Sequence, residues 1–370
     1  MRDPIQHNAW PVVMDISLAG RQIGPNHPTY FVADIAASHD GELNRAIDLI
    51  HLAADAGADA AKFQNFTADE IVSDRGFSEL GRKLSHQAAW TKSVSDVYAD
   101  ASLPHEWTPI LKAACDAAGI AYFSSAYDFA AVDMLEPYVP AYKIGSGDVS
   151  WIEMVEYTAA KKKPMLVATG ATSLGEVIEA VAAVYKHTTD LVLMQCNTNY
   201  TASSDNFAYL NLNVLKTYAQ LFPEAVLGFS DHTSGSSATL GAIALGARVV
   251  EKHLTDDTSR PGPDHAFSMD GTSWREMIDR SRELELALGS SLKQVEPNEL
   301  ETVVVQRRAV RARGAFEIGH VLVRSDLTVL RPAPAHAIGA SDLGELVGTT
   351  VNRPLEAGQS ISWSDVVKAG

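Results

Sequence analysis

Cysteine is nearly absent: 370 residues contain two, Cys115 and Cys196, in neither a CxxC nor a zinc-like spacing. That excludes a disulfide framework and suits a reducing, cytoplasmic setting. Positive charge is also scarce. Thirty Lys and Arg stand against 46 Asp and Glu, for a formal net charge of −16, and no run of five or more basic residues occurs. A protein that grips phosphate backbones needs clustered cations, so nucleic acid is not an expected partner. No apolar run reaches the roughly 18 residues of a membrane span, and "MRDPIQHNAWPVVMDISLAG" lacks a basic stretch followed by an apolar one. Neither membrane insertion nor secretion is expected. The dinucleotide fingerprint and the GxxxxGK[ST] phosphate loop are missing too.

What the chain has is 46% apolar residues, ample for a packed core. They gather in eight short runs of the buried-strand type: "TYFVADI", "DAAKFQ", "IAYFSS", "AYKIGS", "PMLVAT", "LVLMQC", "AVLGFS" and "ARVVEKH". Segments 42–56, 104–118, 173–186 and 237–246 return apolar residues every three or four positions, the period of amphipathic helices. Strands that do not alternate with polar residues are buried on both faces, and eight strand–helix repeats are the number that closes a (β/α)8, or TIM, barrel. A doubly wound sheet is the competitor, because periodicity does not show closure. The expected fold is thus α/β: an N-terminal extension and hairpin over 1–28, a TIM barrel over 29–290, a linker over 291–306 and a small, mostly β domain over 307–370. The hairpin is expected to plug the barrel's bottom.

Barrel active sites form at the C-terminal ends of the strands. Those ends are polar here: Asp34; Lys62 and Gln64; Ser124 and Ser125; Lys143 and Ser146; Thr169; Gln195, Cys196 and Asn197; Ser230, Asp231 and His232; Glu251, Lys252 and His253. The last two strands are neighbours in a barrel, so His232 and His253 reach one mouth and are candidates to share a metal ion acting as a Lewis acid on a carbonyl. Two capping or core histidines are the plainer alternative. Lys62 and Lys143 interrupt apolar runs, where a charge is costly unless paired. They either face structural carboxylates, hold an anionic substrate, or supply a Schiff-base amine. "ATGATSLGE" reads better as a helix cap at Thr172 or Ser173 with Glu176 than as a phosphate site. In "SRPGPDH", Asp264 suits a polyol, and Arg260 either adds charge or forms a structural ion pair.

The segments "GRQIGPNHPTYFVADIAASHDGELNRAIDLIHLAADAGADAAKFQ", "YKIGSGD", "VATG", "GFSDHTSG", "EKHLTDDTSRPGPDHAFSMD" and "LTVLRP" resemble the sialic acid synthase (N-acetylneuraminate synthase) family over almost the whole chain. The C-terminal part resembles that family's antifreeze-like SAF domain. The resemblance implies condensation of phosphoenolpyruvate with an N-acetylated amino sugar aldehyde, giving a nonulosonic 2-keto acid and phosphate. It implies a divalent metal, manganese first and magnesium or cobalt next, on His232 and His253. Asp34, Lys62 and Lys143 take the catalytic places. Lys62, Lys143, Ser125, Ser146 and Ser230 stand where phosphoenolpyruvate is held, and Gln64, Tyr200 and Asp264 where the sugar is faced. Arg331 resembles an arginine that reaches the partner's barrel in a domain-swapped homodimer. Departures gather at the site: Asp34 replaces a glutamate, Ser125 a threonine, Ala168 a serine and Gln195 a histidine, and "RPAPAHAIGA" lacks the glycine-rich pattern after the arginine. These put the acceptor most in question. A Schiff-base aldolase or lyase and a non-catalytic ligand-binding homologue are the other readings.

Overall fold

The computed structural model describes residues 15–82 and 85–368. Residues 1–14, half of the expected N-terminal extension, lie outside the described residues. The chain divides into two compact units, with the boundary between Gly289 and Ser290.

The first unit opens with a hairpin, β1 (Ile16–Leu18) against β2 (Arg21–Ile23). Its two turn residues, Ala19 and Gly20, both have positive φ, 49° and 80°, which matches the twist of the flanking strands. Eight parallel strands follow: β3 (Tyr30–Asp34), β4 (Ala60–Asn65), β5 (Ala121–Ala126), β6 (Tyr142–Ile144), β7 (Met165–Ala168), β8 (Leu191–Cys196), β9 (Val226–Asp231) and β10 (Val249–His253). All eight apolar runs are strands. β10 pairs with β9 on one side and with β3 on the other, so the sheet is a closed barrel and the doubly wound alternative falls.

The crossover helices lie where the apolar period placed them, at Leu43–Asp55, Thr108–Ala118, Leu174–Tyr185 and Ser237–Ala244. Ser173 and Glu176 form the reciprocal cap at the start of the third, which takes up the amides of both residues. Ile16, Leu18 and Ile23 of the hairpin are buried with Tyr30, Val32, Ala60, Leu166, Val192 and Val249 of the barrel interior. Arg21 pairs with Asp59, whose other oxygen accepts the Phe31 amide at 2.7 Å. Both contacts lie at strand starts, so the hairpin closes the N-terminal end and leaves the opposite end open.

Between β4 and β5 lies a long insertion with short helices at Ala68–Ile71, Asp74–Glu79 and Val94–Ala101. The last two are capped by Ser73 and Ser93. Its helices are too short to show a period, and the sequence reading placed no element there.

In the second unit, β11 (Ala309–Ala312) pairs with β12 (Leu327–Leu330) and β13 (Thr350–Val351) with β14 (Val366–Val367), all antiparallel. Val310, Leu322, Leu327, Ile338, Leu346 and Ile361 are among its core residues. The stretch 291–306, expected as a linker, carries the helix Leu300–Gln306 and clusters with this unit. Pro297 and the Glu299 carboxylate, which accepts the Glu296 amide at 3.2 Å, start a turn that leads into that helix.

Candidate active site at the open end of the barrel

Period-two alternation turns every second strand residue into the barrel. At the open end this gathers Asp34, Lys62, Gln64, Ser125, Lys143, Ser230, Glu251 and His253, with His232 just past β9. Strand register fixes the order: His253 lies beside Asp34 and Asp34 beside Lys62, while Gln64 lies beside Ser125 and Ser125 beside Lys143. Both lysines are fully buried and both are paired. Lys62 Nζ is 2.7 Å from Asp34 Oδ2, and Lys143 Nζ is 2.5 Å from Glu251 Oε1. β6 and β10 stand four strands apart in the ring, so the second pair reaches across the barrel. Ser230 Oγ donates to the same Glu251 oxygen at 3.2 Å.

Burial pulls the Lys62 ammonium down, but the charges of Asp34 and Glu251 outweigh it and leave it above its ordinary value. Glu251 is pushed up by burial and pulled down further by Lys143 and Lys62, ending at about 2. Burial raises the Asp34 carboxyl against the pull of Lys62 and with the help of Glu251. The mouth thus pairs two buried lysines with two buried carboxyl groups.

The imidazoles of His232 and His253 lie 5.3 Å apart between ring centres. Burial holds both near 3, with the His253 ring adding to the effect on His232 and the Lys62 charge to that on His253. Both are neutral, the form that ligates metals. His232 Nδ1 donates to the Asn197 carbonyl at 2.8 Å, which leaves the Nε2 lone pair for a ligand. His253 Nε2 is 3.5 Å from Asp34 Oδ2. Three buried atoms here have no partner: His253 Nδ1, Asp34 Oδ1 and Glu251 Oε2. Buried polar atoms are rarely left so, and these three belong to side chains that pair with the lysines or with one another. Among the described residues no set of three or more His, Cys, Asp or Glu is grouped to hold a metal. Two neutral imidazoles with free ring nitrogens are a donor set that could ligate a cation only with its other positions left to water or substrate.

Ser146 sits in the turn after β6, and its Oγ accepts the Gly170 amide at 2.9 Å. Asp264 Oδ2 accepts the Ala37 amide at 2.9 Å, and burial pushes its carboxyl up to about 6. Tyr200 lies 4.4 Å from the His232 ring. Arg260 is a structural partner, its guanidinium 2.7 Å from Asp40, which also pairs with His265 at 2.9 Å. Arg331 belongs to the second unit, at the end of β12, where its Nε donates to the Gln306 carbonyl at 2.7 Å.

Two features escaped the sequence. Glu251 stood in a quoted run without a role, because neighbouring strand residues point to opposite faces and spacing alone does not say which points in. The second is an arc of rings: Phe267 packs on His253, His253 on His232, His232 on Tyr200, Tyr200 on His86, His86 on Trp90, Trp90 on Tyr98, Tyr98 on Phe66 and Phe66 on Tyr127. His86, Trp90 and Tyr98 come from the insertion after β4. No local pattern places them beside Tyr200.

The NeuB family model matches residues 49–293, and the SAF domain model matches residues 307–367. The chain belongs to the NeuB family. Among NeuB relatives, the N,N'-diacetyllegionaminic acid synthase of Legionella pneumophila is 32% identical, covering 93% of this chain and 96% of its own length. The N-acetylneuraminate-9-phosphate synthase of Homo sapiens is 31% identical over 92% of this chain and 94% of its own. The crystal structure of the N-acetylneuraminic acid (sialic acid) synthetase of Leptospira borgpetersenii, in complex with citrate, superposes with a TM-score of 0.69 at 26% identity, covering 79% of this chain and 95% of that one.

The departures from the NeuB pattern now have places. Asp34, one methylene shorter than glutamate, touches Lys62 directly. Gln195 faces away from the barrel interior, its amide donating to the Leu210 carbonyl at 2.9 Å, so that exchange lies outside the mouth. Ala168 packs within the barrel interior among Leu166, Met194 and Cys196.

Proposed function

We propose that this NeuB family protein is an enzyme that joins phosphoenolpyruvate to an amino sugar aldehyde, forming a nonulosonic 2-keto acid and releasing phosphate. The observation that carries the reading is the convergence, on one buried mouth, of two neutral histidines, two ammonium groups and three buried polar atoms that lack partners. The names of the relatives support the same chemistry.

Lys62 and Lys143 meet the carboxylate and phosphate of phosphoenolpyruvate, with Ser125, Ser146 and Ser230 completing the cradle. They also offset the charge that develops as phosphate departs. Gln64, Tyr200 and Asp264 orient the acceptor so that its aldehyde carbon faces C3 of phosphoenolpyruvate. The C3–carbon bond forms as the enol double bond supplies the electron pair, water adds at C2, and the C2–O bond to phosphate then breaks to leave the keto group. Asp34 is the group placed to take the proton from that water and pass it on. A divalent cation, manganese first and magnesium or cobalt next, belongs on His232 and His253. When bound it supplies a Lewis acid for the aldehyde oxygen. On the family resemblance, the working unit is a cytoplasmic homodimer with Arg331 reaching the partner's barrel.

A Schiff base needs a neutral amine, and Lys62 is held protonated while Lys143 is closed on Glu251. Borohydride added during turnover is therefore expected to trap no adduct, while phosphoenolpyruvate is consumed only when both an acceptor and a divalent cation are present. A borohydride adduct on either lysine would favour the lyase reading. Binding of phosphoenolpyruvate without consumption, across acceptors, would favour a non-catalytic homologue.

A further inference from the structure

A third lysine pair stands behind the mouth. Lys252 and Asp231 are direct partners in the β9–β10 register, one residue before His253 and His232 respectively. Both side chains are turned to the outer face of the barrel and are essentially inaccessible, at 1% and 0%. Lys252 Nζ is 2.7 Å from Asp231 Oδ2 and also donates to the Thr233 carbonyl. Asp231 Oδ1 accepts the Thr233 amide at 2.8 Å and the Thr233 hydroxyl at 2.7 Å, while Thr239, from the helix over the strands, donates to Oδ2 at 3.3 Å. The pairs inside the mouth leave Asp34 Oδ1 and Glu251 Oε2 without partners. This pair leaves none, so it does not await a ligand.

We propose that the Asp231–Lys252 pair is a positioning device that fixes the relative placement of His232 and His253, and so tunes the affinity of the cation site. The inference rests on the reading of those histidines as that site. Stability does not account for the pair, because replacing a buried ion pair with apolar groups of similar volume is often neutral or favourable. Register does. A slip of one residue in either strand would turn its histidine out of the mouth and separate two buried charges at the same time. The network brackets His232 from both sides, through Asp231 and Thr233. The backbone of His253 is held in turn by the Trp274 indole and the Met269 amide, each donating to its carbonyl at 3.1 Å.

The test is Mn2+ titration of the full chain, read from the electron paramagnetic resonance signal of the free ion, alongside thermal unfolding. The variant is Asp231→Asn with Lys252→Met, which removes both charges together, keeps the buried volume and the two Thr233 contacts of Asp231 Oδ1, and gives up the Lys252 donor to the Thr233 carbonyl. Expected are an unfolding temperature close to wild type and a Kd for Mn2+ about 10- to 100-fold weaker, the range for loss of groups that orient metal ligands. If the double variant does not fold, Thr233→Val decides, since it removes the hydroxyl donor to Asp231 and leaves both charges paired, with weakening in the same direction. Wild-type affinity in a folded variant would overturn the positioning role. No Mn2+ binding by the wild type would instead overturn the two-histidine reading, and this proposal with it.

Discussion

Lys62 and Asp34 show how one contact serves both folding and chemistry. Changing Lys62 to Met leaves the Asp34 carboxylate buried and unpaired, a loss of about 3 to 5 kcal/mol. Denaturant unfolding is expected to show that loss together with a higher KM for phosphoenolpyruvate. Asp34→Asn keeps the shape but not the proton acceptor, so kcat per folded molecule is expected to fall by about 10²- to 10⁴-fold, with a loss of stability as well because the Lys62 ammonium is left buried without its charge partner. Steady-state kinetics beside circular dichroism checks it. Asp264 sets a pH dependence. Burial raises its carboxyl to about 6, and a carboxylate, not the neutral acid, accepts from sugar hydroxyls. On that basis kcat/KM for the acceptor rises as pH passes through about 6 and is flat above it. Asp264→Asn is expected to remove the rise while leaving KM for phosphoenolpyruvate near wild type. A rise that survives the substitution would assign it to another group.

At the scale of elements, the barrel separates a floor that stabilises from a mouth that reacts. Leu18 in the hairpin is fully buried, and Leu18→Ala is expected to cost about 2 to 5 kcal/mol without lowering kcat per folded molecule. Gly170 stands at the other end. A methyl group there would lie 2.4 Å from Thr198 Cγ2 and 2.9 Å from Ser146 Oγ, so Gly170→Ala must displace Ser146 and is expected to raise KM for phosphoenolpyruvate more than it lowers stability. Elements of this kind were readable from the sequence, because a strand buried on both faces and an amphipathic helix each leave a local period. The insertion after β4 was not. Its short helices carry no period, and it meets the site where His86 packs on Tyr200, far away in the chain. Glu251 was hidden for a different reason: it sits between a buried core residue and the outward-facing Lys252, and only the register shows that it faces Lys143 across the barrel.

For the molecule as a whole, the acidic surface and the buried cations belong to one design. Against a net charge of −16, Lys62 and Lys143 are buried cations at the mouth, each already paired with a carboxylate, and on the proposed reaction they turn to the anionic substrate. Closure of the barrel was the step that periodicity left open. It is also what makes a site at all, since the β10–β3 seam puts His253 beside Asp34. The choice of acceptor was not legible, because relatives of nearly equal identity are named for different sugar acids and three rings of the arc that borders the mouth come from the insertion. The measurement that bears most directly on the proposed reaction is the mass of the product. Purified protein is incubated with phosphoenolpyruvate, Mn2+ and a panel of N-acetylmannosamine, diacetamido-trideoxyhexoses and simpler aldoses, and phosphate is measured in parallel. The expected result is a product three carbons longer than one acceptor, formed in equal amount with phosphate and abolished by a chelator. Loss of phosphoenolpyruvate with no lengthened product, or turnover untouched by the chelator, would contradict it.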